Sequence, residues 1–248
     1  MKTSVIEHLE MQNRCDIYYL SVVDYQDAFY AQKTLQNARI KNMISDAILI
    51  LQHNPVLTIG KKGADKNILV SKTYLNKKGI QVHNSDRGGD VTFHSPGQVI
   101  AYFIINIRNH QKTIYEFVRT LEEIVIRVLK DFKILGERQP GYPGVWVDGE
   151  KICAIGLNVV QDISSHGFAL NVNNDLEMTS YINPCGIIDK HVTSMSNILS
   201  CPVDLEKVVL SVKKHSEILL SLESHFSENT LDGVLMEKGL VDDTVVPH

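Results

Sequence analysis

The chain has 248 residues, 44% hydrophobic and 22% charged, with a formal net charge of −4. That balance belongs to a folded globular protein with a substantial core, and it excludes a disordered chain or a broadly basic nucleic-acid binder. Glu7 and Glu10 break the apolar run that a signal peptide needs, and no apolar stretch approaches the roughly 20 residues that span a bilayer, so a cytoplasmic protein without a membrane partner is expected.

Cys15, Cys153, Cys185 and Cys201 are widely separated and form no Cys-x-x-Cys pair. This argues for reduced thiols rather than a disulfide framework or zinc site, and no cofactor or metal is expected.

In chain order, Asp16 to Val22 is β-rich, and Asp24 opens a helix with Ala28, Ala31, Leu35 and Ala38 on one face. Strands are predicted over 47–52 and 56–59, separated by a His53-Asn54-Pro55 turn. The apolar run from Val99 to Ile107 reads as a strand buried on both faces. Ile114 to Phe132 has the i, i+3, i+4 pattern of an amphipathic helix, with Thr113 and Glu116 placed to form a capping box.

Further on, 145–147 and 150–159 flank Asp148-Gly149, a dipeptide suited to a tight hairpin turn. A strand over 168–172 and a helix from Asp204 to about His225 complete the pattern. Strands in hairpin clusters with few long helices predict an α+β fold with a mixed or antiparallel sheet. One domain over residues 1–225 and a weakly ordered polar tail over 226–248 are expected.

Three segments concentrate polar chemistry. The first, Arg87-Gly88-Gly89-Asp90-Val91-Thr92-Phe93-His94-Ser95-Pro96-Gly97-Gln98, combines glycines that permit close backbone approach with an arginine fork suited to an anionic group. An ordinary hairpin loop would carry the same glycines.

The second, Lys151 to Gly156, lies on a strand where simple alternation puts Lys151 on one face with Cys153, Ile155 and Leu157, and Ala154 and Gly156 on the other. Taken alone, this lysine reads as a solvated surface residue. The third, Pro184-Cys185-Gly186, holds a thiol in a loop of restricted shape, equally compatible with a buried structural cysteine. Cys153 reads as core, Cys15 and Cys201 lack supporting clusters, and His53, His166 and His191 lack metal-ligand spacing. Trp146 reads as packing.

In this order the segments resemble the lipoyl(octanoyl) transferases, over roughly residues 16 to 200. The likeness is carried by Arg87-Gly88-Gly89 with Thr92-Phe93-His94 and Pro96-Gly97-Gln98, then Gly144-Val145-Trp146, Lys151-Ile152 and Ala154-Ile155-Gly156. It continues through Gly167-Phe168-Ala169-Leu170-Asn171-Val172, Asp175-Leu176, Pro184-Cys185-Gly186 and Val192-Thr193-Ser194.

The resemblance implies the fold of the biotin and lipoate protein ligase catalytic domain. It implies an acyl-thioester at Cys185, with Lys151 lowering the thiol pKa and acting as its acid–base partner. Arg87, Gly88, Gly89, Asp90, Val91, Thr92, Phe93 and His94 would line the acyl-substrate site, together with Ala154, Ile155, Gly156, Gly167, Phe168 and Ala169. The implied donor is octanoyl-acyl-carrier protein. The acceptors are lysines of lipoyl domains, in 2-oxoacid dehydrogenases and the glycine-cleavage H protein, and a monomer is expected.

Two positions depart from the family pattern: Ser95, where glycine is usual, and Cys153, where small residues such as alanine are common. Because both partners are acidic, a basic patch is expected at the site mouth, with Lys61, Lys62 and Lys66 as candidates. An ATP-dependent lipoate–protein ligase and an octanoyl amidotransferase of the same fold are the alternatives. A non-catalytic lipoyl-domain binder would need neither Lys151 nor Cys185.

Overall fold

The computed structural model describes residues 13–64, 67–182 and 191–241. An eight-stranded mixed sheet forms the backbone of the fold: β1 (Arg14–Val23), β2 (Asp46–His53), β6 (Gln98–Ile104), β7 (Glu137–Gln139), β8 (Tyr142–Val147), β9 (Glu150–Val160), β10 (Ile163–Asn171) and β11 (Glu223–Glu228). Its strand order is β11-β1-β2-β6-β10-β9-β8-β7, with β11, β1 and β2 parallel and the remaining pairs antiparallel. A second sheet of β3 (Val56–Ile59), β4 (Gln81–Asn84) and β5 (Val91–His94) has the order β4-β3-β5. Only Asn54-Pro55 and Ser95-Pro96-Gly97 join the two sheets at this corner.

The large sheet is covered on both faces, so its central strands are apolar throughout rather than alternating. Along β2, Ile48 and Ile50 enter one core while Ala47, Leu49 and Leu51 enter the other. The first core is closed by α3 (Ile114–Asp131) and α5 (Leu205–Leu220), the long helices between which lies the short α4 (Met195–Leu199). Thr113 and Glu116 form the predicted capping box at the start of α3. The second core is closed by α1 (Tyr25–Ile40), whose buried Ala28, Ala31 and Ala38 let it lie close to the sheet. A one-turn α2 (Lys72–Lys77) packs on the small sheet through Leu75.

The predicted elements hold, with shifted ends, except at the C-terminus. The last long helix stops at Leu220, where Ser221 adopts φ 52°. The chain then adds β11 in parallel to the edge of β1 and continues into α6 (Leu231–Glu237). Val234 and Leu235 are buried in the second core, and the Tyr18 hydroxyl donates to Glu237 Oε1 at 2.6 Å. The expected polar tail from residue 226 is therefore part of the fold through Val241. Its few apolar residues were hidden by polar neighbours, because an edge strand and a one-sided helix need little apolar surface. Leu235→Ala should cost about 2–4 kcal/mol of unfolding free energy in urea titration. A change within about 0.5 kcal/mol, the range of surface substitutions, would mean that this segment is not part of the core.

Candidate active site

Between the two sheets, under the start of α1, lies a cleft. Its floor is three strands of the large sheet in register. Ala154 of β9 faces Ala169 of β10, which faces Ile100 of β6; in the next row Gly156 faces Gly167, which faces Tyr102. Residues directly opposite on neighbouring strands share a face, so these small side chains leave a shallow trough across the sheet. Arg87, Thr92 and His94 form the opposing wall, and Tyr25 and His166 complete the lining. The three sequence segments containing Arg87–His94, Ala154–Gly156 and Gly167–Ala169 thus meet at one place.

Not every residue of the first segment lines the cleft. Val91 and Phe93 point into the small-sheet core. The Gly88 N–H donates to the Leu157 carbonyl, and a Cβ on Gly156 would sit 2.8 Å from the Gly88 carbonyl oxygen, so these two glycines permit the close approach of loop and strand. Asp90 accepts from its neighbour's N–H and from Asn67 Nδ2 at 2.6 Å, tying the loop together. Arg87 is buried, and its guanidinium donates to the hydroxyl and carbonyl of Thr58 and to the Gly88 carbonyl. The guanidinium that the sequence offers to an anionic group thus also braces the small sheet from the cleft wall.

Lys151 is placed by an irregularity in β9. Val145 pairs with Cys153 but Trp146 pairs with Lys151, so Ile152 is an extra residue on β9. Such a bulge interrupts the alternation of faces. Ile152 and Cys153 both enter the core beneath α3, and Lys151 emerges on the face that Ala154 and Gly156 present to the cleft. This corrects the expectation that Lys151 shares a face with Cys153. Lys151 Nζ lies 4.9 Å from the Trp146 ring centroid, a cation–π contact. Beside it Gly144 has φ 123°, and a Cβ there would meet the Cys153 carbonyl oxygen at 2.4 Å, so the bulge and this glycine require each other.

The Lys151 backbone also anchors the chain after the Pro184-Cys185-Gly186 segment. Its N–H donates to the His191 carbonyl and its carbonyl accepts from the Thr193 N–H, both at 3.0 Å. On the other flank, Ile182 bridges to Ile68, and the Tyr181 carbonyl accepts from the Leu69 N–H. Cys185 itself lies outside the described residues. Of the other thiols, Cys15 and Cys153 are fully enclosed, and burial pushes both well above the ordinary thiol range. Cys201 is exposed.

A buried polar chain links the cleft wall to this anchor. His94 Nδ1–H donates to Gln98 Oε1, Gln98 Nε2 donates to Asn171 Oδ1, and Asn171 Nδ2 donates to the Thr193 carbonyl. His94 is held down at about 3 by burial and by neighbouring His53. His53 is at about 4, chiefly through burial; it donates through Nδ1 to the Val23 carbonyl and accepts from the Tyr102 hydroxyl. Both rings are neutral hydrogen-bonding groups rather than charges.

Sequence reasoning set His53 and His166 aside and did not single out Tyr25, Tyr102 or Asp86. Spacing carries no signal for them, since they converge from α1, β2, β6, β10 and the loop before Arg87. Of the basic candidates, Lys61 and Lys62 are exposed, and their backbone N–H groups donate to the Arg87 and Gly89 carbonyls beside the cleft. Lys66 lies outside the described residues.

Residues 24–217 match the lipoyl protein ligase A/B catalytic domain family. An octanoyltransferase of Caldicellulosiruptor saccharolyticus is 45% identical over 204 residues, covering 82% of this chain and 87% of the relative. An octanoyltransferase of Desulforamulus reducens is 44% identical, covering 78% and 85%. Among solved structures, a bipartite lipoate protein ligase from Thermoplasma acidophilum superposes with a TM-score of 0.70 at 15% identity, covering 94% of this chain and 100% of that one. Lipoate–protein ligase A bound with ATP superposes at 0.68 and 14% identity, covering 91% and 94%. The structural likenesses establish the lipoate protein ligase fold, and the sequence likenesses place the chain more narrowly: it belongs to the lipoyl protein ligase A/B catalytic domain family, among the octanoyltransferases.

Proposed function

We propose that the protein transfers an octanoyl group from octanoyl-acyl-carrier protein to the lysine of lipoyl domains, through a thioester on Cys185 with Lys151 as acid and base. The observation that carries this reading is the position of Lys151. A bulge turns it to the sheet face that carries the small-residue trough, and its own backbone pins Val192, seven residues after Cys185.

A free thiol with a pKa of about 8.5 is only a few per cent thiolate near neutrality. An ammonium about 4 Å away favours the thiolate by up to about 4 kcal/mol at an effective dielectric of 20. Burial opposes part of this, and a net fall of one to two pKa units leaves the thiol mostly ionised at about pH 7.

The cycle is ping-pong. The Cys185 thiolate attacks the carrier thioester carbonyl, the tetrahedral adduct collapses with loss of the carrier thiolate, and the Lys151 ammonium gives that sulfur its proton. Neutral Lys151 then accepts a proton from the target amine as it attacks the enzyme thioester. An amide forms and the Cys185 thiolate is regenerated. Thioester exchange is near neutral and amide formation runs downhill, so no nucleotide is consumed. The small and apolar floor residues Ala154, Ala169, Ile100 and Gly167 suit an apolar chain, each buried methylene contributing roughly 0.8 kcal/mol.

The test is transfer to a lipoyl domain from octanoyl-acyl-carrier protein without ATP. Product only from free octanoate plus ATP would instead mark a ligase, the activity of the structurally similar ATP-bound protein.

Burial holds the His53 and His94 rings neutral well below neutrality, and on this reading acylation should accelerate between about pH 5 and 8 as the Cys185 thiol ionises. Lys151→Met removes the cation that favours the thiolate. It should move that rise upward by about one to two pH units and slow acylation at pH 7 at least tenfold. An unmoved profile would exclude Lys151 from the dyad. Lys61→Glu with Lys62→Glu should raise the KM for the acidic carrier several-fold while leaving kcat nearly unchanged, an effect that fades at high salt. An unaltered KM at low salt would remove these lysines from the docking surface.

A further inference from the structure

The trough ends at a histidine that the transfer cycle does not use. Its floor runs from the Ala154–Ala169–Ile100 row to the Gly156–Gly167–Tyr102 row, and His166, the residue before Gly167 on β10, lines the same cleft. Ala169 and His166, both lining the cleft, lie three residues apart on β10, roughly 10 Å, comparable with the extended length of a medium-chain acyl group. Lys151 lies beyond the opposite end of the same strand face.

His166 is held there firmly. It is 2% exposed and sits at φ 59°, a left-handed conformation that is uncommon for a residue with a side chain. Its backbone N–H donates to Gln32 Oε1 at 2.8 Å, fixing the strained turn to α1. The ring stacks on Phe29 and meets Tyr102 edge-on, with centroids 5.9 Å away in both cases.

Nε2–H donates to Asp86 Oδ1 at 2.7 Å, and the other Asp86 oxygen takes Lys33 and Asn158 Nδ2. Burial alone would raise the Asp86 carboxyl, but the bonds from His166 and Lys33 hold it well below the usual range. The imidazole is neutral, because burial lowers its pKa more than Asp86 restores it. Nδ1 is then a lone pair, and among the described residues it makes no hydrogen bond, although the residue lines the cleft.

We infer that His166, oriented by Asp86, sets the length of acyl chain that the cleft accepts. The inference rests on the reading of the cleft as the acyl site. An alkyl chain filling the floor covers small apolar residues along its whole length and stops against a rigid polar ring. A chain two methylenes longer must press on an imidazole held by Asp86 and Phe29, on a backbone tied to Gln32. A shorter one leaves floor uncovered and loses affinity, roughly fourfold per methylene. Asp86 is a positioning residue: it holds the ring from outside the cleft lining.

The test compares kcat/KM for acylation by hexanoyl-, octanoyl-, decanoyl- and dodecanoyl-acyl-carrier protein. It uses the wild-type chain, His166→Gly, His166→Asn and Asp86→Asn. Glycine and asparagine both tolerate the left-handed backbone at this position. His166→Gly should raise the decanoyl-to-octanoyl ratio at least tenfold, with smaller rises in His166→Asn and Asp86→Asn. An unchanged ratio, or a uniform loss at every chain length in a folded variant, would overturn the inference.

If the His166 variants do not fold, Asp86→Asn decides by the same ratio. Calorimetric binding of free six- to twelve-carbon carboxylates separates this inference from the reaction. A maximum at eight carbons that shifts longer in the variants supports the length limit even if no transfer to lipoyl domains occurs, whereas a flat profile refutes it.

Discussion

The site depends on one extra residue in β9. Without Ile152 the pairing of β8 and β9 would continue in strict alternation, and Lys151 would point beneath α3 with Cys153. An ammonium there would be buried among Val145, Val147 and Phe117, at a cost far beyond what one strand tolerates. The bulge sends two apolar residues to the core in succession and turns the lysine to the opposite face of the sheet, the face of Ala154 and Gly156. Gly144 makes this possible, since its backbone comes too close to the Cys153 carbonyl to carry a side chain. Trp146 then offers its ring to the cation at a contact worth about 0.5–2 kcal/mol. The same strand carries the trough floor, so the lysine and the apolar surface are registered on one rigid element, which favours precise catalytic placement.

Buried polar groups supply the rest of the alignment. The run from His94 through Gln98 and Asn171 to the Thr193 carbonyl crosses from the small sheet to the segment that Lys151 anchors. Each donor meets an acceptor, so the network rigidifies rather than destabilises. On the other side, Arg87 spends its donors on Thr58 and Gly88, holding the small sheet against the large one. The cleft wall is therefore polar at Arg87, Thr92 and His94, with the His94 ring kept neutral by burial, while the floor opposite is small and apolar. Ser95 shows the cost of departing from this economy. Its hydroxyl is buried, with no hydrogen-bond partner among the described residues, at the corner between β5 and β6.

Much of this was legible in the sequence, for identifiable reasons. The α3 helix announced itself through an apolar stripe and a capping box, and the central strands through unbroken apolar runs, because both signals are local. The glycines and alanines of the floor were recognisable by resemblance, since their spacing on two strands reflects one sheet register. The bulge was not legible: it is a relation between β8 and β9, and alternation read along β9 alone assigns Lys151 the wrong face. His166 and Asp86 were invisible for the same reason, lying 80 positions apart and meeting only in the fold. The C-terminal strand and helix were missed because a polar edge strand borrows its stability from the neighbour it pairs with.

The central claim is that one thiol, Cys185, carries the acyl group. The most direct measurement is to quench the protein rapidly after mixing with octanoyl-acyl-carrier protein, digest it, and map the octanoyl mass increment by peptide sequencing. The account predicts the increment on the peptide containing Cys185, appearing before amide product and discharged when a lipoyl domain is added. Octanoyl on Cys153 or Cys201 with Cys185 unmodified, or steady transfer with no cysteine ever labelled, would contradict it.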